Sequence, residues 1–254
     1  GNRPSNEGAA GYLDRAIALC RRAGFKRVLL RGDTDFSQTE HLDRWHLDGV
    51  QFLFGLDARA NLVELAENLP ESAWKTLQRP PKYEVNTKPR QRPTNVKEQI
   101  VVANGYKNIK LQGEAVACFA YKPYACKRQY TVVALRKDLA VEHGQCRFFE
   151  DVRYFFYLTN LPAGDPEELV YLANDRCNQE NLLEQLRNGV RALNMPVDGL
   201  VSNWAYMVMA SVAWSLKAWF ALRLPERGRW KEKHRQQKRQ VLTMEFKRFV
   251  NSFV

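Results

Sequence analysis

Residues 28–36 read Val28-Leu29-Leu30-Arg31-Gly32-Asp33-Thr34-Asp35-Phe36, an apolar run that passes straight into an acidic turn. Three aliphatic residues ahead of a glycine predict a short strand over 26–32, closed by Gly32. Upstream, Leu13, Ile17 and Cys20 share one helical stripe, with Ala9, Tyr12, Ala16 and Leu19 beside it, so 6–23 reads as an amphipathic helix. Asn6 or Ser5 stands where its cap belongs, and Gly24 where it should end. Downstream, a helix over about Thr39–Asp48 and a strand over Val50–Leu56 follow. This helix–strand–helix–strand order predicts an α/β fold with parallel strands and covering helices.

The pattern changes near residue 75. Pro80, Pro81, Pro89 and Pro93 lie among Lys, Arg and Asn, which predicts a loop or extended arm. Strand-like runs follow at Gln99–Ala103, Ala115–Tyr121, Tyr130–Arg136 and Val152–Leu158, a β-rich block inside an α/β protein. Helical character resumes at Pro166, with Asp165 as cap and proline at the first helical position. A longer helix over about Asn174–Leu193 stops before Pro196, and an apolar helix over about Val201–Leu222 precedes a basic tail. The chain therefore divides on expectation into a core portion at 1–74, a basic β-rich insertion at 75–150, a return to the core at 151–222 and a tail at 223–254.

A chain of 254 residues, 45% hydrophobic and with six Trp, builds a packed globule and excludes a disordered segment. Its net charge of +11 suits a polyanionic partner. The charge is uneven. Lys75 to Lys110 holds nine bases against two acids, and Arg223 to Arg239 holds eight against two, whereas residues 150–200 hold nine acids and four Arg. Solvated basic faces would give the same count. Five irregularly spaced Cys in so large a chain speak for a reducing, cytoplasmic setting. His143 and Cys146 lack the second tight pair a structural zinc needs. The stretch from Gly199 to Leu216 has no charged residue, yet its serines and Asn203 favour a helix buried on all sides over a membrane span.

Two carboxylates attract attention. Asp33 follows a strand, a mounting that fixes the backbone while the side chain projects into a cleft. Asp35 would point to the same side if the strand persisted. Arg176, Glu180 and Arg187 stand four and then seven residues apart, which at about 100° per residue places them in one sector of a helix. Cleavage of a phosphodiester by two divalent ions needs carboxylates that hold the metals about 4 Å apart. Hard ions such as Mg²⁺ take oxygen ligands, and flanking Arg grips phosphate. The plainer alternatives are a salt-bridged exposed helix, which Glu184 supports, and an Asp that merely forms a turn.

These segments resemble those of bacterial insertion-sequence transposases of the DDE type. VLLRGDTDF at 28–36 is similar to the segment bearing that family's second catalytic Asp. RCNQENLLEQLR at 176–187 is similar to its signature helix, in which Tyr, Arg, Glu and Lys recur. The resemblance implies an RNase-H-like mixed sheet flanked by helices, with the β-rich stretch inserted between the second Asp and the Glu helix. It makes Asp33 and Glu180, 180 − 33 = 147 positions apart, the catalytic and metal-binding carboxylates. It makes Arg176 the phosphate-gripping residue, and Arg187 stands where the family has Lys. Tyr171 is the tyrosine nearest the signature position at Ala173. Asn203-Trp204 and the apolar helix resemble the closing segment.

The implied activity is cut-and-paste transposition with Mg²⁺, or Mn²⁺ in its place, on double-stranded DNA by a homodimer, in bacterial cytoplasm beside the nucleoid. A first catalytic Asp belongs on an earlier strand. Nothing before residue 26 reads as that strand and Asp14 lies in a helix, so the expectation is that the chain begins after the first three core strands and is inactive alone. A DNA-binding remnant without catalysis and a related metal-dependent nuclease are the competing readings. Tyr121, Tyr124, Tyr130 and Trp230 lie near bases and could stack on unpaired nucleotides, though a place in a β-sheet core is the commoner role for the three tyrosines.

Overall fold

The computed structural model describes residues 4, 6–79, 96–143, 146–162, 164–175 and 178–254. The chain forms two compact units, Gly1–Asp175 and Arg176–Val254.

The first unit is built on a six-stranded mixed sheet in the order β1-β2-β6-β5-β4-β3. Helix α1 (Ala9–Arg22) leads into β1 (Leu29–Gly32), and α2 (Leu42–Leu47) into β2 (Gln51–Leu56). Helix α3 (Ala60–Glu67) and the short β3 (Lys75–Thr76) come next, followed by α4 (Val96–Ala103). Three long strands, β4 (Lys107–Tyr121), β5 (Tyr130–His143) and β6 (Cys146–Thr159), precede α5 (Pro166–Asn174). β1 and β2 are parallel, as the alternation of elements predicts, and the other pairings are antiparallel. The β-rich segment thus extends the same sheet, as a meander that joins it through β6.

Alternation along β5 shows how both faces are filled. Val132 and Ala134 join Leu42, Trp45, Phe52, Phe54 and Leu62 in one core, beneath α1–α3. Val133 and Leu135 join Leu77, Val116, Leu169 and Val170 in a second core, beneath α5. A period of two sends successive side chains to opposite faces, so a strand covered on both sides is apolar throughout. β2 fits this pattern, with Phe52, Leu53, Phe54 and Gly55 all buried. Each fully buried Phe or Leu contributes about 1.5–3 kcal/mol. Asn160, just past β6, receives the Phe52 N–H at 2.8 Å and donates to Val50 O at 2.9 Å, tying the start of β2 to the end of β6.

Several sequence expectations are corrected. Gln99–Ala103 lies in helix α4, where Val96 and Ile100 recur at a spacing of four and no strand partner is present among the described residues. The meander strands reach well beyond their apolar centres, because hairpin pairing carries Lys110, Lys137 and Asp138 into the ladder. α1 begins after Gly8 without a side-chain cap, and Asn6 instead donates to Asp35 O at 2.8 Å. Asp165 does cap α5, accepting the Glu167 N–H at 3.2 Å.

The second unit is helical. α6 (Asn178–Glu184) runs into a π turn at Gln185–Gly189, and α7 (Leu200–Arg223), α8 (Lys231–Thr243) and α9 (Phe246–Phe253) follow. The basic tail is therefore largely helix. α7 is the predicted apolar helix, but it is not buried on all sides: Asn203, Lys217 and Ala221 are its buried residues, and Val201, Trp204 and Met209 are exposed. α8, α9 and the π turn pack against part of its surface only. It has the length and composition of a membrane span, which for a single helix is weak evidence. Lys217 Nζ enters the buried strip by donating to the carbonyls of Leu242, at 3.2 Å, and Met244 at the end of α8.

Candidate active site

The turn after β1 is held by close packing. Asp33 has extended backbone and is half-buried, and its carbonyl accepts the Phe36 N–H at 3.2 Å to open a 3₁₀ turn over Thr34–Phe36. The strand ends at Gly32, so Asp35 sits on this turn and is exposed, rather than alternating along a strand. Two glycines make room. A Cβ at Gly32 would lie 2.9 Å from Phe36 Cβ and 3.0 Å from Phe54 Cδ1. A Cβ at Gly55 would lie 3.1 Å from Thr34 N and 3.3 Å from the Asp33 carbonyl carbon. β2 therefore passes directly against the backbone that presents Asp33.

Arg31 adds a long-range tie. Its guanidinium donates to Leu172 O at 2.7 Å, satisfying a carbonyl in the last turn of α5. Tyr171, on the same helix, is half-buried against the second core and donates its hydroxyl to Gln78 O. The C-terminal end of α5 is thereby docked beside the strand that bears Asp33.

In the second unit, Glu180 is exposed in the first turn of α6, and Arg187 is exposed on the π turn. Val190 N–H bonds Gln185 O at 3.0 Å, the i→i+5 pattern of a π turn, a feature that clusters at functional sites. Arg176 lies outside the described residues. Glu180 is five residues beyond Asp175, where the first unit ends. Among the described residues no three acids, histidines or cysteines gather into one group. The side chains of His143 and Cys146 fall outside the described set.

Other acids are committed to structure. Asp14 accepts two hydrogen bonds from Arg44, at 3.0 and 2.9 Å, and one from Trp45 Nε1 at 2.8 Å. The Arg44 guanidinium holds its carboxyl below the usual range. Asp43 accepts Tyr130 Oη–H and Lys127 N–H, both at 2.6 Å. Burial works against its ionised form, but these bonds hold its pKa down. Burial and the neighbouring Asp43 push the Cys126 thiol up to about 11, which makes it an inert packing residue.

Sequence reasoning placed Asp33 directly after a strand, as the structure does, and missed what holds it there. Gly55 carried a signal, since a glycine inside an apolar strand marks close backbone approach. Arg31 and Asp43 carried none, because their partners lie 141 and 87 residues away.

Cations without a carboxylate partner among the described residues stand on the second unit at Lys231, Lys233 and Arg239, whereas Arg235 and Lys238 pair with Glu226 and Glu232. Arg229 and Lys233 lie 5.1 and 5.6 Å from the Trp230 ring centre. The family model described as transposase DDE domain group 1 matches residues 1–242. No curated protein matches the chain.

Proposed function

This chain belongs to the transposase DDE domain group 1 family, and on that footing we propose that Asp33 and Glu180 are two of the carboxylates with which it cleaves and transfers DNA strands at insertion-sequence ends. The membership carries with it a transposase-type function, and the six-stranded mixed sheet with flanking helices agrees with an RNase-H-like core. The observation that carries the proposal is the Asp33 turn, a carboxylate at the end of a buried strand with its backbone fixed by Gly32 and Gly55. The pairing with Glu180 rests on the likeness of residues 176–187, RCNQENLLEQLR, to the family's signature helix.

Transposases of the DDE type use divalent ions, and the oxygen-only donors Asp33 and Glu180 fit a hard cation such as Mg²⁺, or Mn²⁺ in its place. Bound there, the ion supplies Lewis-acid stabilisation of charge on the reacting phosphate. The chain's own residues supply position. The fixed Asp33 turn keeps its carboxylate oriented, while Arg176 and Arg187, on either side of Glu180 in the sequence, and Tyr171 engage the DNA backbone. Water oxygen bonds to phosphorus as the 3′-oxygen leaves with a proton. The freed 3′-hydroxyl then attacks a target phosphorus in the same sense, within a homodimer on duplex DNA.

The α8 cations that have no carboxylate partner among the described residues favour a second reading, a DNA-binding chain that does not cut by itself. Metal binding and nicking separate the two. Asp33→Asn and Glu180→Gln are each expected to lower Mn²⁺ affinity at least about tenfold, read from the Mn²⁺ EPR signal, with duplex binding retained. Unchanged Mn²⁺ affinity in both variants sinks the metal assignment. Nicking of an end-labelled duplex by the unsubstituted chain rules out the second reading, and cutting without joining points to a nuclease.

A further inference from the structure

We propose that the loop joining β4 to β5, residues 122–129, is a contact for an unpaired DNA strand, with Tyr124 stacking on a base and Lys122, Lys127 and Arg128 taking the flanking phosphates. It rests on the DNA-processing reading above and adds to it a strand type and a place on the molecule.

Tyr124 does not join the sheet core. Its relative exposure is 104%, whereas Tyr130 is buried and Tyr121 half-buried, with its hydroxyl accepting from Asn61 at 3.1 Å. A fully exposed aromatic ring has no packing role in the fold. The loop that carries it is nevertheless firmly held. Cys126 is buried, donates through Sγ to Thr39 O at 3.2 Å, and bonds Pro123 O through its N–H at 2.9 Å. Lys127 N–H and Tyr130 Oη–H both end on the Asp43 carboxylate. A ring presented on an ordered loop loses little conformational entropy when a base stacks on it.

The surroundings suit a nucleotide. Tyr124 borders a hollow of about 330 Å³, the lower end of the range for small-ligand pockets. Its other walls include Ser37 and Glu40, from the segment that follows the Asp33 turn, with Asp57, Arg59 and Tyr121, so the phosphates are left to the cations of the loop and the hollow takes the base. Lys122, Lys127 and Arg128 are exposed and make no salt bridge among the described residues, although the Asp43 carboxylate beneath the loop attracts Arg128. Residues 122–129 contain no acid. An aromatic face set among unpaired cations is the combination that grips single strands, whereas a duplex hides its base faces inside the stack.

The test uses the full chain in EDTA, so that catalysis plays no part. The probes are a fluorescein-labelled single strand of about 20 nucleotides, the matching blunt duplex, and a single strand carrying 2-aminopurine, whose emission is quenched on stacking. The unsubstituted chain is expected to quench 2-aminopurine. Tyr124→Ala is expected to abolish the quench and lower single-strand affinity about tenfold, with duplex affinity and melting temperature unchanged, and Tyr124→Phe to retain both. Replacing Lys122, Lys127 and Arg128 by Gln is expected to reduce the logarithmic salt slope for the single strand by about 2. Equal losses on single strand and duplex in Tyr124→Ala, or unchanged affinity with the quench intact, overturn the proposal. So does failure of the unsubstituted chain to quench. The metal reading is judged separately by Mn²⁺ affinity, so either proposal can fail while the other stands.

Discussion

Position 55 decides how Asp33 is presented. A methyl group there would stand 3.1 Å from Thr34 N and 3.3 Å from the Asp33 carbonyl carbon, and backbone at that distance cannot swing aside as a side chain can. Gly55→Ala is therefore expected to push the turn off β2 at a cost of about 1–3 kcal/mol. Because the displaced atoms belong to Asp33 and Thr34, Mn²⁺ affinity should fall by more than the loss of stability alone implies. A melting curve paired with Mn²⁺ titration checks this, and a variant that melts lower but binds Mn²⁺ as before would refute it. The place of Asp33 after a strand was legible in sequence, because a strand running into an Asp is a local pattern. Its supports were not. Arg31 and Asp43 look like ordinary surface residues until folding brings Leu172 and Tyr130 to them. Tyr124 was misplaced for the complementary reason, since nothing local distinguishes a tyrosine that faces the core from one that faces water.

Among the elements, β3 is the smallest and depends most on its anchor. Two residues pair with β4, after which Leu77 is buried and its N–H bonds Glu114 O at 2.8 Å. The Glu114 carboxylate is buried and takes a bidentate bond from Arg79, with Lys137 at 3.3 Å. The Arg79 guanidinium, against the opposing effect of burial, holds the Glu114 pKa below its ordinary 4.5. A carboxylate depressed in the folded state contributes its full stabilisation above the unfolded value and loses it as pH falls through the folded one. Protection of the Leu77 amide, its exchange taken relative to the intrinsic rate at each pH, is thus expected to fall below about pH 4.5 and to be flat above it. Glu114→Gln should remove this pH dependence and cost about 1–3 kcal/mol, a modest figure because Arg79 is partly screened by water. Loss of protection with an unaltered midpoint in Glu114→Gln would assign the effect to another group. Such an anchor could not be read in sequence, and the same holds for the outer halves of β4 to β6. The centres of those strands announce themselves by apolar alternation, whereas their charged ends are strand only because a neighbour pairs with them. Gln99–Ala103 shows the reverse error, in which an apolar run resembling a strand pairs with none among the described residues and coils into a helix.

At the scale of the whole molecule, the net charge of +11 becomes meaningful once cations are sorted into those already paired and those free to meet phosphate. Composition showed the excess but not the sorting. Along α8, Arg235 and Lys238 are occupied by Glu226 and Glu232, while Lys231, Lys233 and Arg239 have no carboxylate partner among the described residues. A cation neutralised by an internal acid releases few counterions on binding, whereas each free one that meets a duplex phosphate adds about 0.9 to the logarithmic salt slope. Replacing Lys231, Lys233 and Arg239 by Gln is therefore expected to reduce that slope by between about 2 and 3. Replacing Arg235 and Lys238 should change it little and lower the stability of the second unit instead. Anisotropy titrations with a labelled duplex between about 50 and 200 mM KCl would measure both. Equal slope changes in the two sets would mean that DNA opens the internal pairs, and no change in either would place the duplex elsewhere on the chain.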